Sequence, residues 1–350
     1  MLDAPTLFLL IFSLILSAVP VDCQEIEIQT IVEGLNHPMG VTVQPETGTI
    51  FVSDSGAARV IRIIDQEIEE VVIGFPVDQV AEQNATLGPL GLCFLDQNTL
   101  VIGEGGQATG EDQILRYKVP AVGEPSLNYS DFLGKPMTMP AAEKRCAEQD
   151  FQSIVSGARG VFVASRGDHE KGWISLATHS TELEEHWTEF SRLIPSRILT
   201  NCQRASCLTK SPQGYLLVGL KGQANETKDS SIAFFSEEGE LLSQYQCGLK
   251  EVAGLAYDPS SNRLFAIDSP KEAVVGGLYQ LIEFTQENRT LCQPRLIVPL
   301  PNPTSCCFDP HGNLLVTLAR EKDEKNDASG SLIQVNRVDL VQILSQQGDR

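Results

Sequence analysis

The sequence predicts an all-β protein, and three features of the chain support this. Pairs of short apolar segments recur with starts roughly 50 residues apart, the period of repeat units that hold four strands. Each pair is joined by a turn rich in Pro, Asp, Asn or Gly, which suit tight chain reversals. A spare apolar segment precedes the first unit, whereas the last unit ends one strand early. Together these features predict a six-bladed β-propeller.

Six copies of the strand pair can be aligned along the chain, the third being the weakest match. The copies are GVTVQPETGTIFVSD (40–54), GLCFLDQNTLVIGE (91–104), FQSIVSGARGVFVAS (151–165), CLTKSPQGYLLVGL (207–220), GLAYDPSSNRLFAID (254–268) and SCCFDPHGNLLVTLA (305–319). A third apolar segment follows each pair, and a less regular fourth ends each unit. Every copy therefore predicts one four-stranded blade.

The two ends of this array are expected to meet. The sixth unit runs out of chain after its third strand, near Val335, and the segment IEIQTIVEGL (26–35) precedes the first unit. We expect this N-terminal strand to complete the last blade as its outer strand, since closure protects strand edges that would otherwise pair with other chains. Two separate β domains are the alternative.

The first 23 residues have the length and apolar character of a signal peptide, although their start holds Asp3 and no Lys or Arg. We expect cleavage before Gln24, and an anchor helix or a lipid-anchored Cys23 are the alternatives. The predicted domains are a signal peptide (1–23), the propeller (24–337) and a C-terminal tail (338–350). The mature chain is predicted to lack an integral membrane span and to be secreted, or periplasmic in the cell envelope.

The composition bears on partners and on cysteine chemistry. A formal net charge of −20 disfavours nucleic acid, which requires a basic surface. If Cys23 leaves with the signal peptide, an even number of cysteines remains, which in an exported chain predicts disulfide bonds. The alternative is a set of buried free thiols, because four cysteines lie within apolar strands, namely Cys93, Cys207, Cys306 and Cys307.

The stretch HPMGVTVQPETGTIFVSDSGAARVIRI (37–63) resembles an NHL repeat, with Ala57 or Ala58 where these repeats usually have Asn. The chain as a whole is similar to exported six-bladed propellers near the NHL and SMP-30/gluconolactonase groups, and in particular to secreted planctomycete-type propellers. The resemblance implies the propeller fold and the possibility of metal-dependent lactonase chemistry. The lactonases hold their ion with a Glu near the first inner strand, where this chain reads Asn36-His37-Pro38.

In each unit the loop between the second and third strands is long and polar, whereas the turn between the first and second strands is short. Long loops on a rigid scaffold usually carry binding residues. Asp54, Glu104 and Asp268 occupy matching positions at the ends of second strands on this long-loop face. They are the candidate ligands for one divalent cation, Ca²⁺ or Zn²⁺. The alternative is that each carboxylate caps its own loop by accepting backbone N–H groups.

Four further residues on the long-loop face are candidates for chemistry or binding. His37 precedes the first inner strand and is a candidate general base, with packing as the alternative. Arg204 and Glu251 precede the inner strands of blades 4 and 5, where they form either a ligand clamp or a structural ion pair. Arg166, in the loop 165–172, is a further candidate ligand-binding residue.

No recognised catalytic motif occurs, so the favoured function is binding of a small molecule or a protein around the central channel. A lactonase- or esterase-like hydrolase that depends on Ca²⁺ or Zn²⁺ is the alternative. A quinone-dependent sugar dehydrogenase is a third hypothesis, because GLNHPMGV (34–41) also resembles the opening of that family.

Overall fold

The computed structural model describes residues 26–80, 85–108, 110–139, 148–165, 172–179, 187–222, 228–270, 275–287, 289–319 and 330–337. These residues form six antiparallel sheets arranged as the blades of a propeller, so the predicted fold is confirmed. The predicted signal peptide and the C-terminal tail lie outside the described residues. None of the helices in the described part of the chain has the length and apolarity needed to span a bilayer.

The first half of the chain builds blades 1 to 3. The N-terminal strand is β1 (Ile28–Leu35). Blade 1 comprises β2 (Pro38–Val43), β3 (Ile50–Asp54), β4 (Arg59–Ile64) and β5 (Glu67–Ile73), with a 3₁₀ turn at Ser55–Ala57. A hairpin of β6 (Asp78–Val80) and β7 (Ala85–Leu87) follows. Blade 2 comprises β8 (Pro89–Phe94), β9 (Thr99–Glu104), β10 (Gln113–Lys118) and β12 (Met137–Thr138), whereas β11 (Leu127–Asn128) pairs in parallel with β5 of blade 1. Blade 3 comprises β13 (Ser153–Gly157), β14 (Gly160–Ala164), β15 (Trp173–His179) and β16 (Trp187–Pro195).

The second half builds blades 4 to 6 and closes the ring. A short helix, α1 (Ser196–Thr200), leads into blade 4, which comprises β17 (Arg204–Lys210), β18 (Leu216–Lys221), β19 (Ser231–Phe235) and β20 (Leu241–Gln246). Blade 5 comprises β21 (Val252–Tyr257), β22 (Leu264–Asp268), β23 (Gly276–Gln286) and β24 (Arg289–Leu300). Blade 6 comprises β25 (Pro303–Phe308), β26 (Leu314–Leu318), β27 (Gly330–Val335) and β1.

Strand β1 is the outer strand of blade 6, which confirms the predicted closure. It pairs antiparallel with β27, from Ile28 opposite Val335 to Leu35 opposite Gly330. The inner strands of blades 6 and 1 are also joined directly, because the Thr304 hydroxyl donates to the carbonyl oxygen of Pro38 at 2.7 Å. The two ends of the array are therefore held together both at the rim and beside the channel.

Alternate residues along each strand pack against different neighbouring blades, which explains why the strands are apolar on both faces. In β14, Val161 and Val163 pack against blade 2, whereas Phe162 and Ala164 pack against blade 4. Among the described residues, a buried apolar cluster of this kind lies at every junction between adjacent blades. The core is therefore a ring of seams that holds the inner strands in place around the axis.

The expected disulfide bonds are not formed by the described cysteines. Seven cysteines lie in the described part of the chain, and all carry free thiols. Four of them are dispersed among different seams: Cys93 lies between blades 2 and 3, Cys207 between blades 4 and 5, Cys306 between blades 5 and 6, and Cys307 between blades 6 and 1. The alternative of buried thiols is therefore correct for Cys93, Cys207 and Cys306, whereas Cys307 is half-buried and Cys146 lies outside the described residues.

Candidate functional site

The central channel contains a cavity of about 550 Å³ that is lined by the inner strands of all six blades. Most of its lining residues come from the middle and second half of these strands and from the turns that follow them, including Pro45, Pro259 and Pro310, while blade 3 contributes residues 152–156. Each inner strand runs from the long-loop face to the short-turn face. The cavity therefore lies at the short-turn end of the channel, opposite the face on which the sequence placed the site.

The cavity wall combines apolar side chains with neutral hydrogen-bonding groups. Val43, Phe94, Leu208, Leu255 and Phe308 supply apolar surface around the ring. Hydroxyl groups of Thr and Ser residues lie between them, at positions 42, 153, 156, 209 and 305.

Both charged residues in the lining are engaged with protein groups. Lys210 forms an ion pair with Glu237. Asp309 accepts the backbone N–H groups of His311 and Asn313 at 2.9 and 2.8 Å. The wall therefore offers neutral hydrogen-bonding groups within an apolar surface.

Two thiols of the lining are held in the neutral form. Burial raises the pKa of Cys93 and of Cys307 to about 12. A thiol with such a pKa is a weak nucleophile at neutral pH, because the thiolate is the reactive form. These cysteines therefore contribute polarisable surface to the cavity.

Asp54 lies at the end of β3, fully buried, with both carboxylate oxygens engaged. Oδ1 accepts the backbone N–H of Asn36 at 2.6 Å, and Oδ2 accepts from Nε of Arg59 at 2.9 Å. Burial raises the pKa of Asp54, and the neighbouring Arg59 opposes this shift. The carboxylate thus ties the chain before the inner strand to the end of the second strand.

Asp268 holds the equivalent position in blade 5 and makes the equivalent contacts. Its oxygens accept the backbone N–H groups of Glu251 at 2.7 Å and of Lys250 at 3.3 Å. Burial raises the pKa of Asp268, and these two backbone hydrogen bonds lower it. For both aspartates the geometry therefore favours the capping role that the sequence left open.

Glu104 ends the second strand of blade 2, but its contacts are different. It is fully buried, and its Oε1 accepts from the hydroxyl of Tyr129 at 3.2 Å. Tyr129 directly follows β11, the strand added to the outer edge of blade 1. The carboxyl group of Glu104 therefore contacts a segment attached to blade 1.

The described residues contain no group of three or more His, Cys, Asp or Glu side chains arranged to hold a metal ion. The cation predicted at Asp54, Glu104 and Asp268 thus finds no support in the geometry of these three side chains. It stays a prediction that metal analysis of the protein would test.

The other predicted site residues lie near the long-loop ends of the inner strands. His37 is half-buried and has a left-handed backbone, with φ 56°. Glu251 forms an ion pair with Lys221 at 3.4 Å, which supports a structural role. Arg204 begins β17 directly opposite Lys221 in the register. Arg166 lies outside the described residues.

The sequence analysis missed two groups of residues that the structure brings together. The cavity lining comes from inner-strand positions that are apolar in the repeat and look like ordinary core. Tyr129, which donates to Glu104, and Gln107, which donates to Tyr129, lie in irregular segments between repeat strands. The Pro-x-Gly starts of the inner strands could have indicated the narrow channel, because a Cβ at Gly40 would lie 2.3 Å from the carbonyl oxygen of Leu90.

Comparison with known proteins supports the fold. No protein-family model and no curated protein matches this sequence. Among solved structures, the PQQ-bound form of aldose sugar dehydrogenase from Streptomyces coelicolor matches with a TM-score of 0.59 and 14% identity, covering 89% of this chain and 99% of that chain. The apo-form of the soluble aldose sugar dehydrogenase from Escherichia coli matches with a TM-score of 0.59 and 11% identity, with coverage of 89% and 99%. A gluconolactonase from Xanthomonas campestris matches with a TM-score of 0.53 and 14% identity, with coverage of 89% and 90%.

Gluconolactonases and sugar dehydrogenases are thus among the structural neighbours, as the resemblance in the sequence implied. At these identities the likeness concerns the fold. The chain is a six-bladed β-propeller of the architecture that these proteins share.

Proposed function

We propose that this protein is a binding propeller that holds a small, uncharged molecule in its central channel. The observation that carries the proposal is the cavity of about 550 Å³ lined by all six inner strands. Its volume falls within the range of roughly 300–1,000 Å³ that is typical of small-molecule sites. Export of the protein, predicted from residues 1–23, belongs to the same proposal.

The composition of the wall supports an uncharged ligand that has both apolar and hydrogen-bonding groups. An ionic ligand would lose its hydration on entering the channel, and the two charged lining residues already have protein partners. Apolar surface brought into contact with the wall contributes roughly 25 cal/mol per Å². Hydroxyl side chains, and backbone groups on the strand edges that face the channel, supply hydrogen bonds that fix the ligand's orientation.

The cavity indicates that a ligand enters from the short-turn face, whereas the sequence predicted binding on the long-loop face. The sequence placed a ligand or protein partner on the long-loop face, much of which lies outside the described residues, including 166–171, 223–227, 271–274 and 320–329. The cavity opens toward the short turns instead. Binding from the short-turn face is therefore the form of the proposal that the described residues support.

The hydrolase alternative requires an ion at the long-loop mouth of the channel, and the described residues there do not support one. Asp54 and Asp268 each hold the chain before their own inner strand, and Glu104 contacts Tyr129 instead, so the described geometry does not bring these three carboxylates together.

The proposal is tested by measuring binding of the neutral apolar fluorophore N-phenyl-1-naphthylamine. The key variant is Thr42→Trp, which places an indole in the cavity, and the matched control is Thr290→Trp, on the exposed outer strand of blade 5. We expect saturable binding to the wild type and to the control, and at least a tenfold loss of affinity in Thr42→Trp. Absence of binding to the wild type, or equal binding by a folded Thr42→Trp protein, would refute the channel site.

A further inference from the structure

We propose that blade 2 carries a calcium site, separate from the channel, in which Glu104 and Asp112 supply the carboxylates. The site lies where the long loop after β9 meets the segment after β11 and the approach to blade 3. It involves neither Asp54 nor Asp268 and is therefore different from the three-carboxylate site predicted from the sequence.

Gln107 and Tyr129 connect the two carboxyl groups through hydrogen bonds. The hydroxyl of Tyr129 donates to Oε1 of Glu104 at 3.2 Å and accepts from Nε2 of Gln107 at 3.0 Å. The backbone N–H of Gln107 donates to Oδ1 of Asp112 at 3.0 Å. The other oxygen of Asp112 accepts the N–H of Asp150 at 2.8 Å. Gln107 thus links the surroundings of both carboxyl groups.

One carboxyl oxygen in this arrangement is buried without any hydrogen-bond partner among the described residues. This atom is Oε2 of Glu104, a residue that is fully buried. Leaving a buried polar atom unsatisfied typically costs about 1–3 kcal/mol, and more for a charged group. The equivalent carboxylates of blades 1 and 5 have both oxygens engaged, so among these three positions Glu104 alone has an oxygen without a partner. It points to a group that the protein binds here.

The charges that act most strongly on these two carboxyl groups are other carboxylates. Asp112 acts on Glu104, and Asp150 and Asp78 act on Asp112. Both side chains are buried, so water does little to screen this repulsion. At Asp54, by contrast, a guanidinium offsets the buried charge. A bound cation would provide that compensation in blade 2.

The donor atoms favour Ca²⁺ over a transition metal. They are carboxylate, amide and phenol oxygens from Glu104, Asp112, Gln107 and Tyr129. Oxygen ligands suit hard cations, and Ca²⁺ accepts irregular sets of six to eight of them, whereas Mg²⁺ demands a near-ideal octahedron. A bound Ca²⁺ would join a loop of blade 2 to the segment that β11 attaches to blade 1.

The test uses the full-length protein freed of metal with EGTA, titrated with Ca²⁺ and, in parallel, with Mg²⁺. Calorimetry and thermal unfolding report binding without any assay of activity. We expect Ca²⁺ at about 100 times its dissociation constant to raise Tm by about 5 °C. Glu104→Gln and Asp112→Asn should each weaken Ca²⁺ binding at least tenfold. Asp96→Asn, which changes an exposed turn carboxylate of the same blade, is the matched control and should bind as the wild type does.

A second measurement covers the case in which a variant of these buried residues fails to fold. Tb³⁺ that replaces Ca²⁺ should show emission sensitised by Tyr129, and Tyr129→Phe should reduce it. Absence of any Ca²⁺ effect on the wild type would overturn the proposal and leave protonation as the way in which the two carboxyl groups are accommodated. Calcium binding that survives in a folded Glu104→Gln protein but is lost in Asp268→Asn would overturn it in favour of the channel mouth.

Discussion

Closure of the ring by the N-terminal strand makes a quantitative prediction at Leu35. This side chain is fully buried in the seam between blades 6 and 1, where it packs in one cluster with Val41 and Leu332. Leu→Ala changes in well-packed cores cost about 2–5 kcal/mol, because transfer free energy is lost and a cavity remains. In a domain of this size, each kcal/mol lowers Tm by about 2 °C. We therefore expect Leu35→Ala to lower Tm by about 4–10 °C.

The matched control is Glu33→Ala, on the same strand. Glu33 is exposed and lies opposite Ser331 in the pairing with β27. Its replacement should change stability by no more than about 0.5 kcal/mol. Urea unfolding followed by tryptophan fluorescence measures both variants. A loss below about 1 kcal/mol in Leu35→Ala, or equal losses in the two variants, would refute the packing of β1 in the seam.

Three further predictions concern charge, protons and thiols. Asp54→Ala should cost about 3–5 kcal/mol in urea unfolding, because it leaves Arg59 and the N–H of Asn36 without this partner, whereas Asp54→Asn should cost less. Plasma mass spectrometry on the same two variants tests the predicted channel-mouth ion, since unchanged metal content in Asp54→Ala would exclude Asp54 as its ligand. In calcium-free buffer, thermal melts should show that stability falls as pH rises from about 5 to about 8. Burial raises the pKa values of Glu104 and Asp112, so over this range the folded protein holds protons that the unfolded chain has released. Stability that rises over this range would contradict the burial of these two groups as neutral acids. A disulfide-exchange reagent should react with all thiols in guanidinium but only slowly, in the native protein, with the five buried ones, which are Cys93, Cys202, Cys207, Cys247 and Cys306. Rapid native reaction of more than the two half-buried thiols, Cys292 and Cys307, would contradict this burial.

The repeats were sufficient to predict the blades, because each one encodes alternating apolar faces and its own turns. The closure at β1 was also predictable, since the sixth repeat lacks a strand and the segment 26–35 supplies one. The capping roles of Asp54 and Asp268 could be stated only as one of two alternatives. Choosing between them required the distances to the backbone N–H groups that precede each inner strand.

The cavity and the surroundings of Glu104 could not be read from the sequence. The cavity depends on how far six inner strands stand from a common axis, which no single repeat encodes. Tyr129 reaches Glu104 because β11 leaves blade 2 and pairs with blade 1, a crossing that interrupts the repeat pattern. The disulfide prediction failed because the number of cysteines carries no information about which seam each thiol enters.

The pairing of β1 with β27 also constrains the order in which the molecule can assemble. Strand β1 has its partner at residues 330–335, so the two can pair only after the inner strands of all six blades have been synthesised. Bringing such distant segments together costs about 5 kcal/mol of loop-closure entropy, which earlier formation of the intervening blades would reduce. A chain interrupted before residue 330 would lack β27, so the edges of β1 and β26 would be left without a partner and free to pair with other chains. An incomplete polypeptide would therefore differ from the finished ring by its unpaired strand edges, which chaperones and proteases can bind.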